Sequence, residues 1–154
     1  MTKRMKPVDF RKRLYSLLVD AGYRVTKGGV VKDSPDVRVI VSAGVDAKDH
    51  ALTVTFGLSI RSAGGSPPEH YNHSHIYGGT GNLTAGLQAL HLELYRKNPD
   101  AMEAYLDAVP HDLVPALSKL FDVVEVAEAF GRGMFSRCLV RKEARSYLSG
   151  LLAA

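Results

Sequence analysis

The chain has 154 residues, with 20 Lys or Arg against 16 Asp or Glu, one Cys and no Trp, for a formal charge of +4. That length suits a single domain. A hydrophobic content of 45% excludes wholesale disorder, and a lone cysteine, Cys138, excludes an internal disulfide framework and a cysteine-built zinc site. No apolar run reaches the roughly 18 residues of a membrane span. The basic start, MTKRMKPVDF, is not followed by an apolar signal-peptide core. The expectation is a cytoplasmic protein with no membrane partner.

In chain order, Pro7 suits the first turn of a helix. Phe10, Leu14, Leu17, Leu18 and Ala21 recur at helical spacing, predicting a helix over 8–21 with Gly22 as its C-cap. Tyr23 to Val25 and Val30-Val31 read as short strands around a Lys27-Gly28-Gly29 turn. Val37, Val39 and Val41 alternate with Arg38, Ile40 and Ser42, a strand with one apolar face. Leu52, Val54, Phe56, Leu58 and Ile60 alternate with Thr53, Thr55, Gly57, Ser59 and Arg61. That period of two predicts a half-buried strand, apolar inward and small-polar outward. The short link between these last two strands predicts antiparallel pairing.

Ala63 to Pro68 reads as a flexible loop, and His70 to Tyr77 as a strand. Helices follow: one opened by Leu83, Leu87, Leu90 and Leu94, one starting at an Asn98-Pro99 cap, one carrying Leu113, Ala116, Leu117, Leu120 and Phe121 that Val123 to Phe130 either continues or restarts, and a last one carrying Leu139, Val140, Ala144, Tyr147, Leu148 and Leu151. Strands segregated from helices predict an α+β domain over 1–154. Its antiparallel sheet has three to five strands, with an N-terminal helix and a C-terminal helical layer.

Charge is unevenly spread. Residues 1–32 hold nine Lys or Arg and two Asp, residues 33–130 hold six and thirteen Asp or Glu, and residues 131–154 hold five and one Glu. Basic ends flank an acidic middle. They mark either a surface for an acidic partner or intramolecular partners for that middle.

Three constellations carry chemistry. On a strand, Tyr71, His73, His75 and Tyr77 share one face, a surface of large contact area with polar tips that suits protein recognition. His73 and His75 are also the candidate metal ligands, with a third ligand required from His91, His111 or a carboxylate. Gly78-Gly79-Thr80-Gly81 precedes a helix, so Gly79 and Gly81 mark either a connection or an anion cradle. Arg137, Arg141 and Arg145 recur every four residues on the expected last helix and, with Lys3, Arg4 and Lys6, form a candidate nucleic-acid or phosphate surface. Cys138, early in that helix beside Arg137, would have a lowered pKa. No nucleophile elbow or diagnostic carboxylate pair is present.

The layout also carries a resemblance. A helix ending in Ala21-Gly22-Tyr23 leads to the two-faced strand Thr53 to Ile60. A Pro-containing loop, His73-Ser74-His75-Ile76, and Gly81-Asn82-Leu83-Thr84 with C-terminal helices follow. Over about residues 8–125 this resembles the bacterial domain-of-unknown-function 4304 group. It departs where that group often shows an Arg after the His strand; Gly78-Gly79-Thr80 stands there. The resemblance implies an α+β domain and no reaction; some similar small bacterial domains act as immunity or accessory proteins by binding a partner.

The leading expectation is a non-enzymatic module that binds a protein partner through Tyr71, His73, His75, Tyr77, Gly79 and Gly81, with no cofactor. The alternatives are a nucleic-acid or phosphate binder using the basic ends, and a metal-dependent hydrolase at the His strand.

Overall fold

A computed structural model of the chain describes residues 5–154. Helix α1 (Pro7–Asp20) buries Phe10, Leu14 and Leu18 and turns Arg11, Lys12 and Arg13 to solvent, the division its i, i+4 spacing dictates. It ends in a Schellman arrangement. The Gly22 N–H bonds the Val19 carbonyl and the Tyr23 N–H bonds the Leu18 carbonyl, with Gly22 at φ 103°, which glycine adopts without a Cβ penalty.

The chain then folds back and forth through β1 (Arg24–Thr26), β2 (Gly29–Asp33), β3 (Val37–Val45), β4 (Leu52–Ile60), β5 (Ile76–Gly79) and β6 (Leu139–Val140). Every neighbouring pair is antiparallel, and spatial order follows chain order. The described residues thus form six strands rather than three to five. The additional edge strand comes from Leu139 and Val140, which pair with Tyr77 and Ile76. Helical periodicity had placed these two residues in the last helix. That helix, α6 (Lys142–Ala153), begins later, because Arg141 is held in extended backbone with its Nε and Nη2 on the Ser74 and Asn72 carbonyls at 2.9 and 2.8 Å.

One sheet face carries Val39, Val41, Val54, Phe56, Leu58 and Ile76, all fully buried in one core with α1 and the later helices. Those are α2 (Ala85–Tyr95), α3 (Ala101–Ala108), α4 (Val114–Ser118) and α5 (Val123–Gly131). Phe10 meets Tyr105 edge-on at 5.8 Å, tying α1 to α3. Each such side chain contributes about 1.5–3 kcal/mol relative to exposure. The expected Asn98-Pro99 cap shifts: Asp100 is the N-cap residue of α3. The Asn98 N–H instead returns to the Glu93 carbonyl, after Lys97 reverses the chain at φ 58°. Of the two courses expected after Leu113, the helix restarts: a 3₁₀ turn at Lys119–Phe121 separates α4 from α5, while a π-turn at Val109–Leu113 joins α3 to α4. Asp122 then caps α5, accepting the Val124 N–H at 2.8 Å.

The opposite sheet face is not left to solvent, as the alternation of β4 implied. Val31, Ile40, Gly57 and Ser59 on this face are all buried. The chain after β4 runs back across it. A Cβ on Gly57 would stand 2.4 Å from Ser74 Oγ and 3.0 Å from Tyr71 Cα, so the absence of a side chain at Gly57 is what lets this segment seat on the sheet.

Candidate functional site

The segment laid over the outer face is the one that carries the Tyr and His residues. Its local structure differs from the expected strand. Tyr71–His73 is a 3₁₀ turn, and β5 begins only at Ile76. A period of two therefore does not set which way Tyr71, His73 and His75 face. The cause is the double anchoring of this stretch, by Arg141 on two of its carbonyls and by Ser74 pressed onto Gly57. Tyr71 and Tyr77 nevertheless meet edge to face at 5.7 Å, and His70 and His73 at 5.9 Å. Both tyrosines are half-buried and His73 is exposed. Across the β5–β6 pairing Tyr77 lies opposite Leu139, which is 45% exposed. Tyr71, Tyr77 and Leu139 thus belong to one aromatic and aliphatic surface; His73, in the same turn as Tyr71, is exposed and meets His70, and Arg141 holds the Asn72 and Ser74 carbonyls beside it.

His75 leaves that surface. It is half-buried, and its Nδ1 accepts the Ile60 N–H at 2.8 Å. Burial pushes its pKa down, favouring a neutral ring with its proton on Nε2. His91, one of the proposed third ligands, is likewise occupied: its Nε2 accepts the Val54 N–H at 3.3 Å, and burial lowers its pKa. Among the described residues no group of three or more His, Cys, Asp or Glu is arranged to hold a metal ion.

The glycine stretch divides as well. Gly78 and Gly79 end β5, and Thr80–Asn82 is a 3₁₀ turn. The helix start is later than Asn82: Thr84 is the N-cap of α2, its Oγ1 accepting the Leu87 N–H and donating to Asp112, both at 3.0 Å. Asp112 therefore brings a carboxylate to the place where an anion cradle would hold its ligand. Gly81 packs closely on α2, where a Cβ would stand 3.3 Å from Gln88 Cα, and Gly79 faces His91. Neither glycine joins the tyrosine pair. Between them, buried Thr80 donates to the Val54 carbonyl at 3.2 Å and lies 2.6 Å from the Tyr105 hydroxyl. With its single proton on Val54, Thr80 accepts from Tyr105.

The basic residues do not make one stripe. Arg137 precedes β6, Arg141 is the N-cap residue of α6, and Arg145 lies in α6 with its guanidinium 5.8 Å from the Phe130 ring centroid. Lys6 lines a different cleft, with Met5, Leu94 and Met102. Lys3 and Arg4 lie outside the described residues. Cys138 is not in a helix but in the turn before β6. Burial, rather than a helix terminus, sets its thiol and pushes it up to about 11. The intramolecular pairing of the basic start with the acidic middle is visible at Arg13, whose Nη1 is 2.7 Å from Glu103 Oε1.

One charged cluster escaped the sequence reading. Asp33 on β2 faces Arg38 on β3, and Arg38 faces Ser59 on β4. Arg38 grips Asp33 with Nε at 2.7 Å and Nη2 at 3.0 Å, Arg24 adds Nη1 at 3.1 Å, and Arg61 Nη2 stands 3.4 Å away. Hydrogen bonds from Arg38, helped by Arg24, hold the Asp33 carboxyl below the usual carboxylate range. The available signal was the short Ser34-Pro35-Asp36 turn, which sets Asp33 opposite Arg38.

No family model, curated protein or solved structure matches the chain.

Proposed function

We propose that this protein is a non-enzymatic binding module that engages a protein partner through the surface formed by Tyr71, His73, Tyr77 and Leu139. The observation that carries this reading is the Tyr71–Tyr77 pair, stacked edge to face beside an exposed leucine on the sheet. Tyrosines fixed by their neighbours give contact area at low entropic cost, with hydroxyls left to hydrogen-bond. Arg141 at the border, together with His70 and His73, favours a partner whose contact is apolar at its centre and acidic at its rim. The anchoring of the segment by Arg141 and Gly57 means the surface is presented in one conformation, which reduces the ordering cost of association.

The test uses exposed positions, so that folding is spared. Wild-type protein captures its partner from the native host, and binding is then measured with both components purified. Leu139→Lys and His73→Ala are expected to weaken it about tenfold or more each, the scale of a central interface residue. Arg145→Gln, outside the surface, leaves it unchanged. Equal affinity of all three variants with wild type would overturn the reading.

A further inference from the structure

Below the tyrosine surface, where β4 runs into Arg61–Ala63, a cavity of about 250 Å³ opens between the sheet and the loop that follows. Arg38, Ser59, Arg61 and His75 line it together with Ile60 and Gly64 to Pro67. We propose that it is a binding site for a small oxyanion, a phosphate or carboxylate group on a small molecule, held by Arg38, Arg61 and the Ser59 hydroxyl. The site is separate from the protein-binding surface and does not depend on it.

Three observations converge on an anion. The first is charge: three guanidiniums share the single carboxylate of Asp33, so the cluster keeps a positive excess next to the cavity. Arg38, with a side chain only 14% exposed, is paired with Asp33, so the excess falls on Arg24 and Arg61, and of these Arg61 lines the cavity. The second is donor geometry. Arg38 also gives Nη1 to the Pro68 carbonyl at 3.1 Å, and Arg61 gives Nε to the Ser34 carbonyl at 3.2 Å. Both forks are therefore fixed, yet neither spends all five of its N–H groups. A fixed planar fork suits the oxygens of carboxylate and phosphate.

The third is Ser59. It is 7% exposed, and its Oγ has no hydrogen-bond partner. A buried hydroxyl left unpaired is costly, and rotation of this side chain toward the cavity that the residue lines gives it an oxyanion as acceptor. His75 is a positioning residue. With Nδ1 committed to Ile60 and a backbone hydrogen bond with Gly64, it pins the loop that closes the cavity to the end of β4. Ile60 and Pro67 in the lining leave room for a few apolar atoms beyond the anionic group.

The test is thermal melting of the full chain in sodium phosphate, sodium acetate or sodium chloride at one pH and equal ionic strength. A ligand that binds only the folded state raises the midpoint in a saturable way. Phosphate, acetate or both are expected to do so and chloride is not; which of them acts tells phosphate from carboxylate ligands. Arg61→Gln, at a side chain 43% exposed, is expected to weaken the fitted affinity about tenfold or more, and Ser59→Ala several-fold. Arg145→Gln, outside the cavity, leaves it unchanged. The proposal is overturned by a midpoint no higher in phosphate or acetate than in chloride, or by a saturable rise that survives Arg61→Gln and Ser59→Ala undiminished.

Discussion

Gly57 is the position on which the outer layer depends, and Gly57→Ala tests that dependence. The residue sits in the middle of β4, between Ile40 of β3 and Tyr77 of β5. Its new methyl would stand 2.4 Å from Ser74 Oγ, 2.9 Å from Ser74 Cβ and 3.0 Å from Tyr71 Cα. Carbon atoms reach their best separation at about 3.5–4.0 Å, so the Tyr71 turn must retreat by roughly half an ångström or more. The strand is paired on both sides and cannot yield instead. Overpacking of this kind costs about 1–3 kcal/mol. For a chain of this size that lowers the melting midpoint by about 2–12 °C. The control is Gly44→Ala on β3, where nothing lies within 4 Å of the added Cβ; it is expected to leave stability unchanged or to raise it slightly. Adding Ser74→Gly to Gly57→Ala removes the two shortest contacts and is expected to restore part of the loss. Circular dichroism melts and urea titrations read all three. Equal midpoints for Gly57→Ala and Gly44→Ala would refute the seating of the 71–74 segment on the sheet.

Thr80→Val strands the buried Tyr105 hydroxyl and is expected to cost about 1–3 kcal/mol in urea unfolding, whereas Tyr105→Phe, which leaves Thr80 bonded to Val54, costs about 1 kcal/mol. His75 and His91 both have pKa values lowered by burial. Between those values and the unfolded-state value of about 6.5, the unfolded chain binds more protons, so stability is full above that value and falls as pH drops below it. His91→Gln should flatten part of that acid slope in melts between pH 7.5 and 5, a range chosen to bracket roughly the histidine value, and an unchanged slope would count against the burial of His91. Cys138, with its thiol near 11, should react slowly with a thiol reagent in the native protein at about pH 8, where roughly one thiol in a thousand is ionised. Rapid native labelling would contradict that environment.

How far the sequence could be read depended on the range of the interactions involved. Periodicity alone located α1, β3 and β4, because their apolar spacing reports the face that each turns to the main core. It failed where distant residues decide. Leu139 and Val140 continue a helical stripe in sequence, yet Arg141 is locked to carbonyls 67 and 69 positions earlier. The polar alternation of β4 suggested a solvent face, but Gly57 and Ser59 carry no mark of the segment that returns to cover them. Cys138 was read with the wrong sign for the same reason: its thiol answers to burial in a turn against Gly78, not to a helix terminus. Of the candidate site, Tyr71, His73 and Tyr77 were visible as a composition anomaly. The cavity formed by Arg38, Ser59 and Arg61 was not, since its members are spread across two strands and a loop.

The proposed function rests on Tyr71, His73, Tyr77 and Leu139 forming a protein-binding surface. The most direct measurement is the dissociation constant of a purified partner, first captured with wild type, for wild-type protein and for Leu139→Lys. Both proteins must first show the same melting midpoint. A protein-binding surface here gives a saturable interaction weakened about tenfold or more by the substitution. An unchanged constant in a folded Leu139→Lys would contradict it.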